Sequence, residues 1–290
     1  MFVVTAKEIL LWRDTEINKG GDLNSLHLLL DVLGGVSKKK FNLLKINPQA
    51  QVIIQEELKN LSKKWQKHLE SSVPIPYLCK FCFWRDLKIE VSSDVLIPRS
   101  ETELIIDIAN ELIPSELSNI NFVDLGTGSG AIAIALALLK PNWYGVATDK
   151  DQNALTLAKK NFNRFPNKSN LEFYCGSWWN PLEKKFLNKL DLIISNPPYI
   201  PSKIFSKLPI DVKNFEPKLA LIGGEDGLDH IKQIVYDAHL YIKKNGWIIL
   251  ENHFDQSLSV KRLLLENGFS SVRVINDFSG IGRFTIGRYK

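Results

Sequence analysis

The 290 residues are 44% hydrophobic and 24% charged, the balance of a globular chain long enough for one large domain and a smaller one. A net charge of +5 permits an acidic or ribosome-associated partner but is too diffuse to mark a nucleic-acid surface, so no direct nucleic-acid binding is expected. Neither a leader peptide nor a membrane-spanning apolar run is visible, and the expectation is a cytoplasmic, monomeric enzyme that does not contact membranes.

Residues 1 to about 75 read as a separate helical bundle. Thr5-x-x-Glu8 has the form of a capping box. Leu23, Leu26, Leu30 and Leu33 recur at helical spacing before Gly34-Gly35, and Ile54, Leu58, Leu61, Trp65 and Leu69 continue the pattern. The basic run Lys38-Lys39-Lys40 fits a solvated helix connection better than a binding patch. Pro74-Ile-Pro76 opens a linker over 76–98, in which Phe81, Phe83, Leu87, Ile89 and Val91 alternate around Trp84-Arg85-Asp86 as in a β-hairpin. Cys79-x-x-Cys82 has redox or zinc spacing, yet no second pair or histidine cluster accompanies it, so structural thiols and no metal are expected.

From residue 99 the pattern becomes α/β. Ser100 and Glu103 form a candidate capping box before the stripe Leu104, Ile105, Ile108 and Leu112. Arg99 reads equally well as an ion-pairing residue and stays outside the catalytic set. Asn121-Phe-Val-Asp124-Leu-Gly126-Thr127-Gly128-Ser129-Gly130-Ala131 is a strand entering a glycine-rich turn, with an apolar helix over Ala131 to Leu139. That turn also satisfies a relaxed dinucleotide fingerprint. Tyr144 to Thr148 is the second strand, and Asp149 at its end can accept both vicinal hydroxyls of a ribose. Asp151 can cap the helix Ala154 to Asn161, and Leu171 to Cys175 is the third strand, followed by Gly176-Ser177-Trp178.

The fourth strand carries the chemistry. Asp191-Leu-Ile-Ile-Ser-Asn196-Pro197-Pro198-Tyr199 runs an apolar strand into a rigid two-proline turn. The carbonyls of Asn196 and Pro197 can accept two N–H bonds while the Tyr199 ring covers a flat face, a set suited to a planar group bearing an NH2. Dinucleotide binding has no evident use for this turn. A methionine-bearing adenosine suits it, with Asp124 available to an ammonium group. Downstream, Gly227 to Lys244 reads as a helix, Trp247 to Leu250 as the fifth strand and Gln256 to Asn267 as a helix stopped by Gly268. Val272 to Ile275 and Phe284 to Ile286 suggest a terminal antiparallel hairpin.

Leu96-Ile-Pro98-Arg99-Ser100-Glu101-Thr102-Glu103, Asp124 to Gly130, Asn196 to Tyr199, Glu216-Pro217-x-x-Ala220-Leu221, Gly223-Gly224-x-Asp226-Gly227 and Asp277-x-x-Gly280-x-x-Arg283 occur in one order across the chain. In this the sequence resembles the bacterial peptide chain release factor glutamine N5-methyltransferases. The resemblance implies a Rossmann-like class I methyltransferase domain over 99–290, a mostly parallel sheet with a terminal antiparallel hairpin. It also implies an N-terminal helical substrate-binding domain over 1–75. The implied cofactor is S-adenosylmethionine, held by Asp124, Gly126, Thr127, Gly128, Ser129, Gly130, Asp149, Trp178 and Asn196. The implied catalytic set is Asn196, Pro197 and Tyr199, with Pro198 joining them in holding the substrate, the glutamine of the Gly-Gly-Gln loop of class I release factors. The chain departs from the family's usual residues at Ser100, where proline is common, and at Ser177, where aspartate often contacts the adenine amine. The turn chemistry alone leaves adenine-N6 or guanine-N2 methylation open, because those bases present the same NH2. A non-catalytic cofactor-binding module is a further alternative.

Overall fold

A computed structural model describes all residues except 115, 116, 118, 167–169 and 183. The chain forms two compact units, one of residues 1–82 with 209–215 and one of residues 83–208 with 216–290.

The first unit is helical around a small sheet. Strand β1 (Phe2–Thr5) pairs antiparallel with β2 (Gln51–Ile54), and helices Ala6–Ile17, Leu23–Gly34, Lys38–Leu44, Leu58–Ser71 and Ile75–Cys79 complete it. The Thr5/Glu8 capping box is present. Ile54, expected on a helical stripe, lies instead in β2; its burial alternates with that of its neighbours, the period of a strand rather than a helix. Leu26, Leu30, Phe41, Ile54, Leu61 and Trp65 form the core.

The second unit begins within the predicted hairpin, β3 (Phe81–Trp84) and β4 (Leu87–Glu90). Its sheet is built from β5 (Asn121–Leu125), β6 (Tyr144–Asp149), β7 (Asn170–Cys175), β8 (Leu190–Ser195), β9 (Ile242–Glu251), β10 (Phe269–Asn276) and β11 (Gly282–Tyr289), in the order β10-β11-β9-β8-β5-β6-β7. Strands β9, β8, β5, β6 and β7 run parallel. Consistent with burial on both faces, their sequences are continuous apolar runs: Phe122, Val123, Leu192, Ile193, Ile194, Ile248, Ile249 and Leu250 are all inaccessible. β11 is antiparallel to both β9 and β10, which closes the sheet with the expected hairpin.

Helix Ala131–Leu139 is buried almost throughout, as its lack of a polar face requires. Asp151 caps helix Gln152–Phe162 through the amides of Asn153 and Ala154. Two expectations fail. Ser100 and Glu103 make no capping box; a 3-10 turn over Glu101–Glu103 precedes helix Leu104–Leu112, and the Glu103 carboxylate accepts from the Arg85 amide instead. The helix read over Gly227 to Lys244 spans Asp229–Tyr241, and Ile242 already belongs to β9, where Lys243 Nζ reaches Asp191 at 2.7 Å. The polar Lys-Lys-Asn-Gly stretch hides the strand start, because alternation is absent there.

Parallel pairing decides where the polar residues gather. The register sets Leu125 beside Thr148, Asp149 beside Cys175 and Ser195 beside Leu250. The residues that follow β5, β6, β7 and β8, with the last residue of β9, therefore share one edge of the sheet, the carboxyl edge where open α/β sheets bind ligands.

Candidate active site

A cleft with about 970 Å³ of free space, its mouth included, opens on that edge. Gly126, Thr127, Gly128, Ser129, Asp149, Ser177, Trp178, Asn196 and Pro198 line it, with Thr102, Pro217, Leu219, Ala220 and His230. Of the residues singled out from sequence, Asp124, Gly130, Pro197 and Tyr199 lie just outside this lining.

The glycine turn is shaped by its backbone. Gly126, Gly128 and Gly130 have φ of +76°, +55° and +85°, values side-chain-bearing residues adopt with strain. A Cβ on Gly126 would also sit 3.1 Å from the Trp178 ring. Asp149 holds the turn from the next strand: its Oδ2 accepts from the Gly128 amide at 2.8 Å and its Oδ1 from the Asp151 amide at 2.9 Å. Burial raises its carboxyl pKa, against those two amides. Each oxygen retains a lone pair for a hydroxyl. Asp124 is fully buried; the Thr127 hydroxyl donates to its Oδ2 at 2.6 Å, and its Oδ1 completes no hydrogen bond among the described residues. Burial pushes this carboxyl up to about 7, with the Thr127 hydroxyl and the Ala133 amide acting the other way.

Trp178 forms one wall. Its φ of +47° is rare for so large a residue, and its indole donates to Gln233 Oε1 at 3.0 Å while its ring meets His230 at 5.4 Å. Burial lowers the His230 pKa.

The Asn-Pro-Pro-Tyr turn is held from beneath. Gln256 Nε2 donates to the Tyr199 carbonyl at 2.9 Å, and a Cβ on Gly223 would fall 2.5 Å from the Pro198 carbonyl, so only glycine allows the 216–227 loop to pack this closely. That loop is anchored by Arg99, whose guanidinium donates to both oxygens of the buried Glu216 carboxylate at 2.7 and 2.8 Å. Asn196 Nδ2 donates to Thr102 Oγ1 at 3.2 Å, Thr102 Oγ1 donates to Glu251 Oε2 at 2.8 Å, and the Tyr199 hydroxyl donates to Glu251 Oε1 at 3.4 Å. Burial pushes Glu251 up to about 7. Sequence reading missed Thr102 and Glu251. The signal for Glu251 was present, since an acidic residue ends the apolar run Trp247-Ile-Ile-Leu250 just as Asp149 ends β6.

This donor set fits an adenosine carrying a charged amino acid. Asp149 offers lone pairs at the β6 end and Trp178 offers an aromatic wall, while Asp124, just outside the lining, keeps one oxygen without a donor among the described residues. No group of three or more His, Cys, Asp or Glu side chains suited to a metal occurs among the described residues, and Cys79, Cys82 and Cys175 form no disulfide. Burial pushes Cys82 up to about 12, which leaves it inert. Among the described residues no helix is long and apolar enough to cross a membrane.

A family model described as a methyltransferase small domain matches residues 102–207. A release factor glutamine methyltransferase of Prochlorococcus marinus is 41% identical over 97% of this chain and 96% of its own length. Enzymes of the same name from Synechocystis sp. and Thermosynechococcus vestitus are 38% and 34% identical, over 82% and 91% of this chain and 81% and 90% of theirs. Among solved structures, the catalytic domain of hMettl16 in complex with a MAT2A 3'UTR hairpin superposes with a TM-score of 0.57 over 79% of this chain and 81% of that one. At 18% identity it shares the fold alone. The chain thus belongs to the release factor glutamine methyltransferase family.

Proposed function

We propose that this protein transfers the methyl group of S-adenosylmethionine to the side-chain amide nitrogen, N5, of the glutamine in the Gly-Gly-Gln loop of class I peptide chain release factors. The observation that carries the reading is Asn196. It lines the cleft with Nδ2 engaged by Thr102 and with no hydrogen bond to Oδ1 among the described residues, in a chain related end to end to enzymes of that name. Bound S-adenosylmethionine supplies an electrophilic methyl on a sulfonium.

The chain's own residues do the rest. Asp149 holds the ribose hydroxyls, Trp178 covers the adenine, and Asp124 with the Gly126–Gly130 turn holds the amino-acid end. An amide nitrogen is a poor nucleophile because its lone pair is delocalised, so alignment must supply much of the rate. Asn196 Oδ1 and the Pro197 carbonyl accept the two N–H bonds of the acceptor. As the nitrogen gains positive character those bonds strengthen, which is selective stabilisation of the transition state. The proton becomes acidic only after transfer and then leaves to solvent water, so no base is needed beforehand. Tyr199 and Pro198 flank the acceptor.

A single glutamine side chain buries too little surface for tight binding, so affinity comes from contacts remote from the reacting atom. In this reading residues 1–75 form the release-factor-binding domain, 76–98 the linker and 99–290 the catalytic domain. Offering labelled cofactor with release factor, its loop Gln→Ala variant, duplex DNA and ribosomal RNA in parallel tests the proposal. Label on wild-type release factor alone supports it; label on nucleic acid, or equally on the loop variant, overturns it.

A further inference from the structure

A carboxamide has nearly the same shape either way round but opposite chemistry at its two ends. Which end of Asn196 faces the acceptor therefore decides what the turn can bind. With the carbonyl forward the site takes an NH2; with the NH2 forward it takes an oxygen.

The groups behind Asn196 fix that choice. Glu251 is the last residue of β9 and is 2% exposed, with its two oxygens turned to the Thr102 and Tyr199 hydroxyls. When ionised its carboxylate can only accept. A hydroxyl has one proton. Because Thr102 gives its proton to Glu251, its oxygen can offer Asn196 only a lone pair, and Asn196 must turn its NH2 inward to meet it. Burial and the neighbouring Glu251 charge hold the Tyr199 phenol far above its usual range, so it remains a donor. The other charges acting on Glu251 are Arg283, which favours its ionised form, and Glu101, which opposes it; Arg283 is itself anchored on Asp277 at 2.6 Å.

We propose that Thr102 and Glu251 are positioning residues forming a one-way hydrogen-bond relay, which sets the carboxamide of Asn196 carbonyl-outward and makes the site select an amide acceptor over a carboxylate. The inference rests on the methyl-transfer reading and deepens it. A buried carboxylate is a poor choice for packing alone, since an amide of the same shape would fill the space at a smaller desolvation cost. Its ability to accept and not donate is what the relay uses.

The experiment compares full-length wild type, Glu251→Gln, Thr102→Val and Thr102→Ser. Each is assayed with labelled S-adenosylmethionine and release factor, with the release factor's loop Gln→Glu variant as competitor. The relay predicts that Glu251→Gln and Thr102→Val lower kcat by about tenfold or more, the scale of a misplaced transition-state partner, while cofactor affinity stays within about twofold. Thr102→Ser, which keeps the hydroxyl, restores most of kcat. The competitor inhibits wild type poorly and Glu251→Gln distinctly better, because a reversed Asn196 presents its NH2 to a carboxylate. Unchanged kcat in both variants, no recovery with serine, or equal inhibition of wild type and Glu251→Gln would overturn the relay alone. A wild-type enzyme that labels no release factor overturns the methyl-transfer reading and the relay with it.

Discussion

Replacing Glu251 by glutamine should remove a loss of stability that the wild type suffers as pH rises, while making the protein a worse enzyme. Burial raises the Glu251 pKa from 4.5 to about 7, so the folded state binds that proton more tightly than the unfolded chain does. The stabilisation this gives is fully present below about pH 4.5 and is lost as pH rises through about 7. A shift of roughly 2.5 units at about 1.4 kcal/mol each makes the ionised side chain cost about 3 kcal/mol above pH 7. Glutamine carries no such charge. Its burial has a fixed contribution independent of pH, so the informative quantity is the difference between variant and wild type at pH 8 minus the same difference at pH 4.5. That double difference should favour the variant by about 3 kcal/mol, or several degrees of melting temperature. It also cancels Asp124, whose carboxyl titrates in the same window. Turnover should run the opposite way in the wild type, rising with pH through about 7 as Glu251 ionises and the relay acquires its direction. Denaturant or calorimetric unfolding across pH, beside single-turnover rates, checks both. A double difference near zero, or a variant relatively less stable at pH 8 than at pH 4.5, refutes the assignment of a buried, ionised Glu251.

Asp149→Ala should weaken S-adenosylmethionine binding by about 1.5 to 3 kcal/mol, the scale of lost charged hydrogen bonds, and unchanged affinity by calorimetry would remove Asp149 from the ribose site. For Asn196→Ala the expected loss in turnover is about 10² or more with little change in melting temperature; near-normal turnover would exclude it from the chemistry. Gly223→Ala places a methyl 2.5 Å from the Pro198 carbonyl, so the turn must move. Its stability should fall by about 1 to 3 kcal/mol and kcat with it, whereas a fully active variant would show that the turn tolerates displacement.

Much of the catalytic unit was legible because its signals are local. Helix Ala131–Leu139 and strands β5 to β8 follow from unbroken apolar runs, and the Asp151 cap from its place before a helix. Asp149 and Asn196 could be singled out because each closes such a run, and both line the cleft. What could not be read depends on distance in the chain. Thr102 and Asn196 are 94 residues apart and Thr102 and Glu251 149 apart, yet they share one hydrogen-bonded line. Arg99 finds Glu216 across 117 residues, an ion pair whose meaning lies in the loop it anchors. The small β1–β2 sheet was missed for a similar reason: Phe2–Thr5 and Gln51–Ile54 are short, and neither forms a strand without the other. The Ser100/Glu103 cap failed because tertiary partners outbid it, Arg85 taking the Glu103 carboxylate.

In the proposed reaction one amide nitrogen accepts the methyl. The most direct test is tandem mass spectrometry of release factor peptides after reaction with this enzyme and S-adenosylmethionine. The expected result is a single added methyl on the glutamine of the Gly-Gly-Gln peptide, on its side-chain nitrogen and nowhere else. A methyl on another residue, or an unmodified peptide under conditions in which the enzyme binds its cofactor, would contradict it.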